Sequence, residues 1–212
     1  MITIMGSMFL ITGLLILPVR MIKNNITLLA LQSLFLSLIA FLLGSKLGFN
    51  GQIIFIGFLT LVVKVFVLPF ILLRLAKQLK ADKELHPNAG PVVSIVAGIS
   101  LAVLTYDYVV PVMLQDITSG EELLAAAIST ILFGCFYVVS RRSVLNQVIG
   151  VIMMENGLFL SALAITGGMP LIIELGIFFD ILVGVLVMGA MIYKISDRFQ
   201  TLDIKKLNRL RG

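Results

Sequence analysis

Cysteine and histidine occur once each in the 212 residues, and tryptophan does not occur at all. With Cys135 alone there is no disulfide framework, and with His86 as the only histidine there is no ligand cluster for zinc or haem. The sequence has neither a redox ligand set nor a glycine-rich nucleotide loop. No metal or cofactor is therefore expected, and the chain reads as a non-catalytic component of something larger rather than as an enzyme by itself. Charge is scarce too, at 13% of residues. Soluble domains carry roughly 25%, so a chain this poor in charge cannot solvate a globular surface in water.

Hydrophobic residues make up 59% of the chain. They arrive in runs about as long as a bilayer is thick, roughly 20 residues at 1.5 Å each. Backbone groups in hydrocarbon must be paired internally, which leaves helices or a closed barrel. The runs are continuous rather than alternating, which selects helices. The predicted fold is all-α: a polytopic membrane bundle of seven helices near 2–19, 26–45, 52–73, 91–110, 122–140, 144–166 and 171–193. Connectors are short except for a basic loop from Arg74 to Pro91 and an acidic stretch from Asp107 to Glu122. The bundle spans 1–193, and 194–212 is a basic tail, read either as solvated or as an amphipathic helix on the membrane surface. The first helix begins at Met1 without a basic leader or cleavage site, so it is expected to be retained.

Lys and Arg set the expected orientation. Seven helices put fourteen of the sixteen on one side and Lys46 alone on the other, together with Asp107, Asp116, Glu121 and Glu122. By the positive-inside rule the N-terminus lies outside and the C-terminus in the cytoplasm of a prokaryotic inner membrane. The net charge of +5 thus reflects cytoplasmic loops meeting lipid headgroups, not nucleic acid. Leu34-Phe35-Leu36-Ser37 is echoed by Leu158-Phe159-Leu160-Ser161, which suggests a repeat of 1–73 in 122–193 with the fourth helix as linker.

A charge at the bilayer centre costs about 2.5–3.5 kcal/mol on insertion scales, and is kept where it pairs or faces a cavity. Lys64, Glu155 and Asp180 each fall near the middle of a predicted helix, in a layer about 3–4 Å thick by helical rise. Glu174 lies about 240° around the helix from Asp180, nearer the outer face. Burial and mutual pairing act in opposite senses on such groups, which can set their proton equilibria near working pH, as a proton relay requires. Gln32, Asn156 and Gln147, with Asn146, are supporting polar groups. Pro69 is expected to kink the third helix near Lys64. A purely structural Lys–carboxylate pair remains the competing reading of these charges.

The run from Gly150 to Phe159, Gly-Val-Ile-Met-Met-Glu-Asn-Gly-Leu-Phe, leads to the stretch from Met169 to Val183 that carries Glu174, Gly176 and Asp180. With Lys64-Val-Phe-Val-Leu-Pro69 and the overall length, these elements resemble the hydrogenase-4 component E family. That family is related to the K subunit of complex I and the C subunit of multisubunit sodium/proton antiporters. In the K subunit the helix after the basic turn bears its glutamate where this chain has Ile152, and Glu155 falls one turn later. The resemblance implies a place in the membrane arm of a complex I-related, ion-translocating oxidoreductase. Its neighbours would be antiporter-like subunits and a quinone-subunit-like anchor for a soluble nickel–iron hydrogenase-like arm. Lys64, Glu155, Glu174 and Asp180 would then form part of a proton-translocation pathway. Two alternatives stand beside this: a non-pumping spacer between antiporter-like modules, and an independent solute transporter. The latter ranks last because only Pro69 interrupts a helix.

Overall fold

In a computed structural model the continuous apolar runs form helices that bury both bulky apolar side chains and a set of polar ones, while many further apolar residues face outward. The structure describes residues 1–46, 51–78, 88–113 and 121–166, with Gly184 and Gly189 beyond them. The described helices are α1 (Ile2–Ile16), α2 (Ile22–Lys46), α3 (Gly51–Thr60), α4 (Leu68–Gln78), α5 (Pro91–Leu104), α6 (Val110–Met113), α7 (Glu121–Ser140) and α8 (Val144–Thr166). Wider π-helical turns, Leu61–Val67 and Thr105–Val109, join α3 to α4 and α5 to α6, so each pair forms one rod.

Five helices are long and apolar enough to cross a membrane: Ile22–Lys46, Ile53–Lys77, Pro91–Val112, Glu121–Ser140 and Val144–Ile165. The apolar α1 is shorter. Six of the seven expected helices are thus present as all-helical elements, while the expected helix at 171–193 lies outside the described residues. The first helix stops at Ile16 rather than at 19, before Pro18. The second starts at Ile22, four residues earlier than expected, and its first turn is tied into the bundle by buried Asn25, whose Nδ2 donates to the Tyr137 hydroxyl. Asp107, expected in a connector, instead sits on the π-helical turn that joins α5 to α6.

Both π-helical turns precede a proline, Pro69 or Pro111. Proline has no N–H to donate and its ring crowds the carbonyl four residues back. The chain answers by widening the preceding turn: the Leu68 amide donates to the Val63 carbonyl, and the Val110 amide to the Thr105 carbonyl, each five residues back. Lys64 lies in the middle of the first widened turn.

The bundle centre is held by close contact between α7 and α8. A Cβ on Gly134 would come within 2.7 Å of the Gly150 carbonyl oxygen, and one on Gly157 within 2.7 Å of the Ala127 carbonyl oxygen. The helix ends are tied from neighbouring segments. The Arg141 guanidinium donates to the carbonyls of Leu17 and Val19, at the end of α1. Asn88 reaches the end of α7 through its backbone amide to the Ser140 carbonyl and its side chain to that of Val139. Such groups satisfy carbonyls that a helix end leaves without donors.

Gly134→Ala and Gly157→Ala are each expected to lower stability by about 1–3 kcal/mol, because backbone rather than flexible side chain must give way. Gly51→Ala, where nothing lies within 4 Å of the added carbon, is the control. Thermal unfolding of the purified variants in detergent checks this; equal midpoints for all three would contradict the close α7–α8 contact.

Candidate functional site

The bundle interior has two separate apolar cores. One contains Ile16, Leu29, Leu68, Phe133, Ile152 and Met153, and the other Phe9, Leu36, Ile53, Ala127 and Leu160. On each contributing helix the residues between these cores are polar and buried. They are Thr12 on α1, Gln32 and Ser33 on α2, Thr60 and Lys64 on the third rod, Ser129 and Thr130 on α7, and Glu155 and Asn156 on α8. Five helices thus contribute one polar layer between two apolar plugs.

The ion pair Lys64–Glu155 is its centre, with Nζ 2.6 Å from Oε1. Lys64 is 1% exposed and Glu155 6%, so neither charge is solvated by the surroundings of the bundle. The lysine also donates to Asn156 Oδ1 at 3.0 Å and stands 5.7 Å from the centroid of the Phe159 ring, within cation–π range. Asn156 Nδ2 in turn donates to Ser33 Oγ at 3.2 Å and to Gln32 Oε1 at 3.4 Å. Three helices therefore converge on one ammonium group. The widened turn before Pro69 is the local feature of the rod that carries it. Among the described residues, Glu155 Oε2, Gln32 Nε2, Thr60 Oγ1 and Ser129 Oγ are buried without a hydrogen-bond partner. Buried polar atoms of this kind are where proteins admit internal water.

Of the residues singled out from the sequence, Lys64, Glu155, Asn156 and Gln32 are brought together. Gln147 is not: its side chain donates to the Arg141 carbonyl at 3.0 Å, at the other end of α8. Glu174 and Asp180 lie outside the described residues. Ser33 and Phe159 were not singled out; a serine one residue from Gln32 was the available signal for the first, and an aromatic one turn after Glu155 for the second.

A second buried polar cluster occupies the end of the bundle near the Arg141 turn. Asn25 Nδ2 donates to the Tyr137 hydroxyl at 2.7 Å, and that hydroxyl donates to Asn146 Oδ1 at 3.3 Å. The Arg141 guanidinium lies 4.7 Å from the centroid of the Tyr137 ring. Arg141 itself is buried, whereas the sequence pattern treated it as one of several loop cations. Among the described residues no group of His, Cys, Asp and Glu could hold a metal ion.

Such a bundle, with five helices long and apolar enough to cross a membrane and an ion pair buried between apolar cores, has the architecture of a polytopic helical membrane protein. The comparisons narrow the class. Residues 122–212 match the family model of NADH-ubiquinone/plastoquinone oxidoreductase chain 4L. The chain is a homologue of hydrogenase-4 component E of Escherichia coli, 28% identical over 209 residues that cover 98% of this chain and 96% of the relative. The hydrogenase-4 component E of Shigella flexneri matches equally, and an uncharacterized protein of Mycobacterium tuberculosis is 28% identical over 91% of this chain and 87% of its own length. No solved structure gives a significant match.

Removing one partner of a buried ion pair leaves the other charge uncompensated, which costs about 3–5 kcal/mol, whereas apolar replacement of both is nearly neutral. Lys64→Met and Glu155→Leu should each destabilise the bundle by that order, and the double variant by less than either alone. Denaturant unfolding of the three variants measures the coupling; additive losses would show that the two residues do not act as a pair.

Proposed function

We propose that this chain is a membrane subunit of a complex I-related, ion-translocating oxidoreductase, and that Lys64 and Glu155 form one station of its proton pathway. The observation that carries the reading is the buried Lys64–Glu155 pair inside a polar layer that is closed above and below by apolar cores. A site closed along the bundle axis is reached sideways, from groups on neighbouring elements and subunits. Glu174 and Asp180 belong to the same pathway in this reading, on the strength of the sequence pattern.

The similarity to hydrogenase-4 component E implies other subunits of such a complex as partners: antiporter-like membrane subunits, a quinone-subunit-like anchor and a soluble hydrogenase-like arm. The match to chain 4L supports the relation to complex I. The charge bias of the loops supports an N-terminus outside and a C-terminus in the cytoplasm of a prokaryotic inner membrane.

Proton transfer along the layer needs a group that takes up and releases a proton. Glu155 supplies it, and its second oxygen, with no partner among the described residues, is the contact point for the next carrier. Lys64 holds the carboxylate in place and supplies the countercharge whose strength changes when a neighbouring charge moves.

Glu155→Gln in the assembled complex keeps the side-chain shape but removes the proton carrier. Ion translocation per redox turnover, measured in proteoliposomes, is expected to fall to a small fraction of its original value, since a positioned proton-transfer group is worth about a hundredfold or more. Normal translocation with normal assembly would exclude Glu155 from the pathway. Reduced complex yield with unchanged translocation per complex would instead establish the spacer reading.

A further inference from the structure

α2 and α8 start at Ile22 and Val144, 122 residues apart. At that same spacing the turns before them are built alike. Asn25 Nδ2 donates to the Val19 carbonyl, six residues back, and Gln147 Nε2 donates to the Arg141 carbonyl, also six residues back. The backbone amides of Asn25 and Gln147 bond the carbonyls of Met21 and Ser143 in the same way. Arg20 and Arg142 match at this spacing, as do Asn24 and Asn146. The preceding helices sit one residue out of this register: Gly13 of α1 meets the side chain of Gln32 on α2, and Gly134 of α7, 121 residues after Gly13, meets Met154 on α8, 122 residues after Gln32. The Leu-Phe-Leu-Ser echo, by contrast, is spaced 124 residues and so sits two residues out of register with these contacts.

We infer that α1–α2 and α7–α8 are two copies of one helix-pair unit, and that Ser33 is the first unit's counterpart of Glu155. The chain 4L model matches residues 122–212, which contain the second unit and leave the first to be accounted for. Ser33 and Glu155 both lie in the polar layer, and both are connected to Lys64, Glu155 directly and Ser33 through Asn156. At position 33 the first unit carries a hydroxyl where the second carries the acid, and beside it Gln32 and Leu34 stand where the second unit has Met154 and Asn156. Lys64 stands between them and is paired from the acidic side. A carboxylate at position 33 should consequently serve Lys64 in place of Glu155. For ion translocation this rests on the function proposed above; for assembly it does not.

The test is the double variant Ser33→Asp with Glu155→Gln, compared with Glu155→Gln alone in the whole complex. Restored pairing of Lys64 should raise the yield of assembled complex above that of Glu155→Gln. It should also recover half or more of the lost translocation, with Ser33→Glu tried as the longer carboxylate. A yield at or below that of Glu155→Gln for both carboxylates overturns the equivalence. So does a recovered yield that leaves translocation at the Glu155→Gln level. Unchanged translocation in Glu155→Gln itself would defeat the proposed function, while the yield comparison would still decide whether position 33 is the counterpart.

Discussion

An ammonium and a carboxylate can share an apolar helix bundle only if each replaces the water the other has lost. The Lys64–Glu155 contact does this, and much of the surrounding arrangement follows from its demands. Asn156 Oδ1 accepts a further hydrogen bond from the ammonium, and its Nδ2 donates to Gln32 and Ser33. The rod carrying Lys64 is widened ahead of Pro69, and the close approach of α7 and α8 at Gly157 holds the turn that follows Glu155 and Asn156. Buried ion pairs contribute little net stability against apolar isosteres, so cohesion alone does not call for a pair at this place. The same pair can be structural and functional at once, since a proton carrier must be held before it can be used.

The layered interior gives that pair its setting. Apolar cores flank it on either side along the bundle, while the layer itself reaches across five helices. Dry plugs raise the cost of moving an ion along the bundle axis, and unpartnered polar atoms lower the cost of admitting water within the layer. At the Arg141 end the requirements are different. There a buried guanidinium closes the end of α1, and Tyr137, Asn25 and Asn146 bind the two helix pairs together. That cluster satisfies helix ends and joins elements, which is what a buried cation beside carbonyls does best.

The helical architecture and the shared level of Lys64 and Glu155, which meet in the structure, were legible from composition and helical rise, because a bilayer imposes lengths on any sequence. The partners of Asn156 were not, since helical phase alone does not say which helices adjoin. The burial of Arg141 was not legible for a related reason: charge counts place a cation on a side of the membrane but do not tell whether a nearby helix end needs donors. Pro69 was read as a kink, and the structure shows the finer response, a turn one residue wider with Lys64 inside it. The echo at Leu34 and Leu158 suggested an internal copy, while the contacts that relate the two helix pairs run in a different register.

If Glu155 carries protons, its carboxyl group must change protonation while the complex turns over. Infrared difference spectroscopy of the assembled complex, triggered between its reduced and oxidised states, observes that change directly. A carboxyl stretching band is expected that shifts on Glu155→Asp and vanishes on Glu155→Gln. A difference spectrum with the same carboxyl bands in all three proteins would show that Glu155 keeps its proton state throughout, and that the buried pair is scaffold alone.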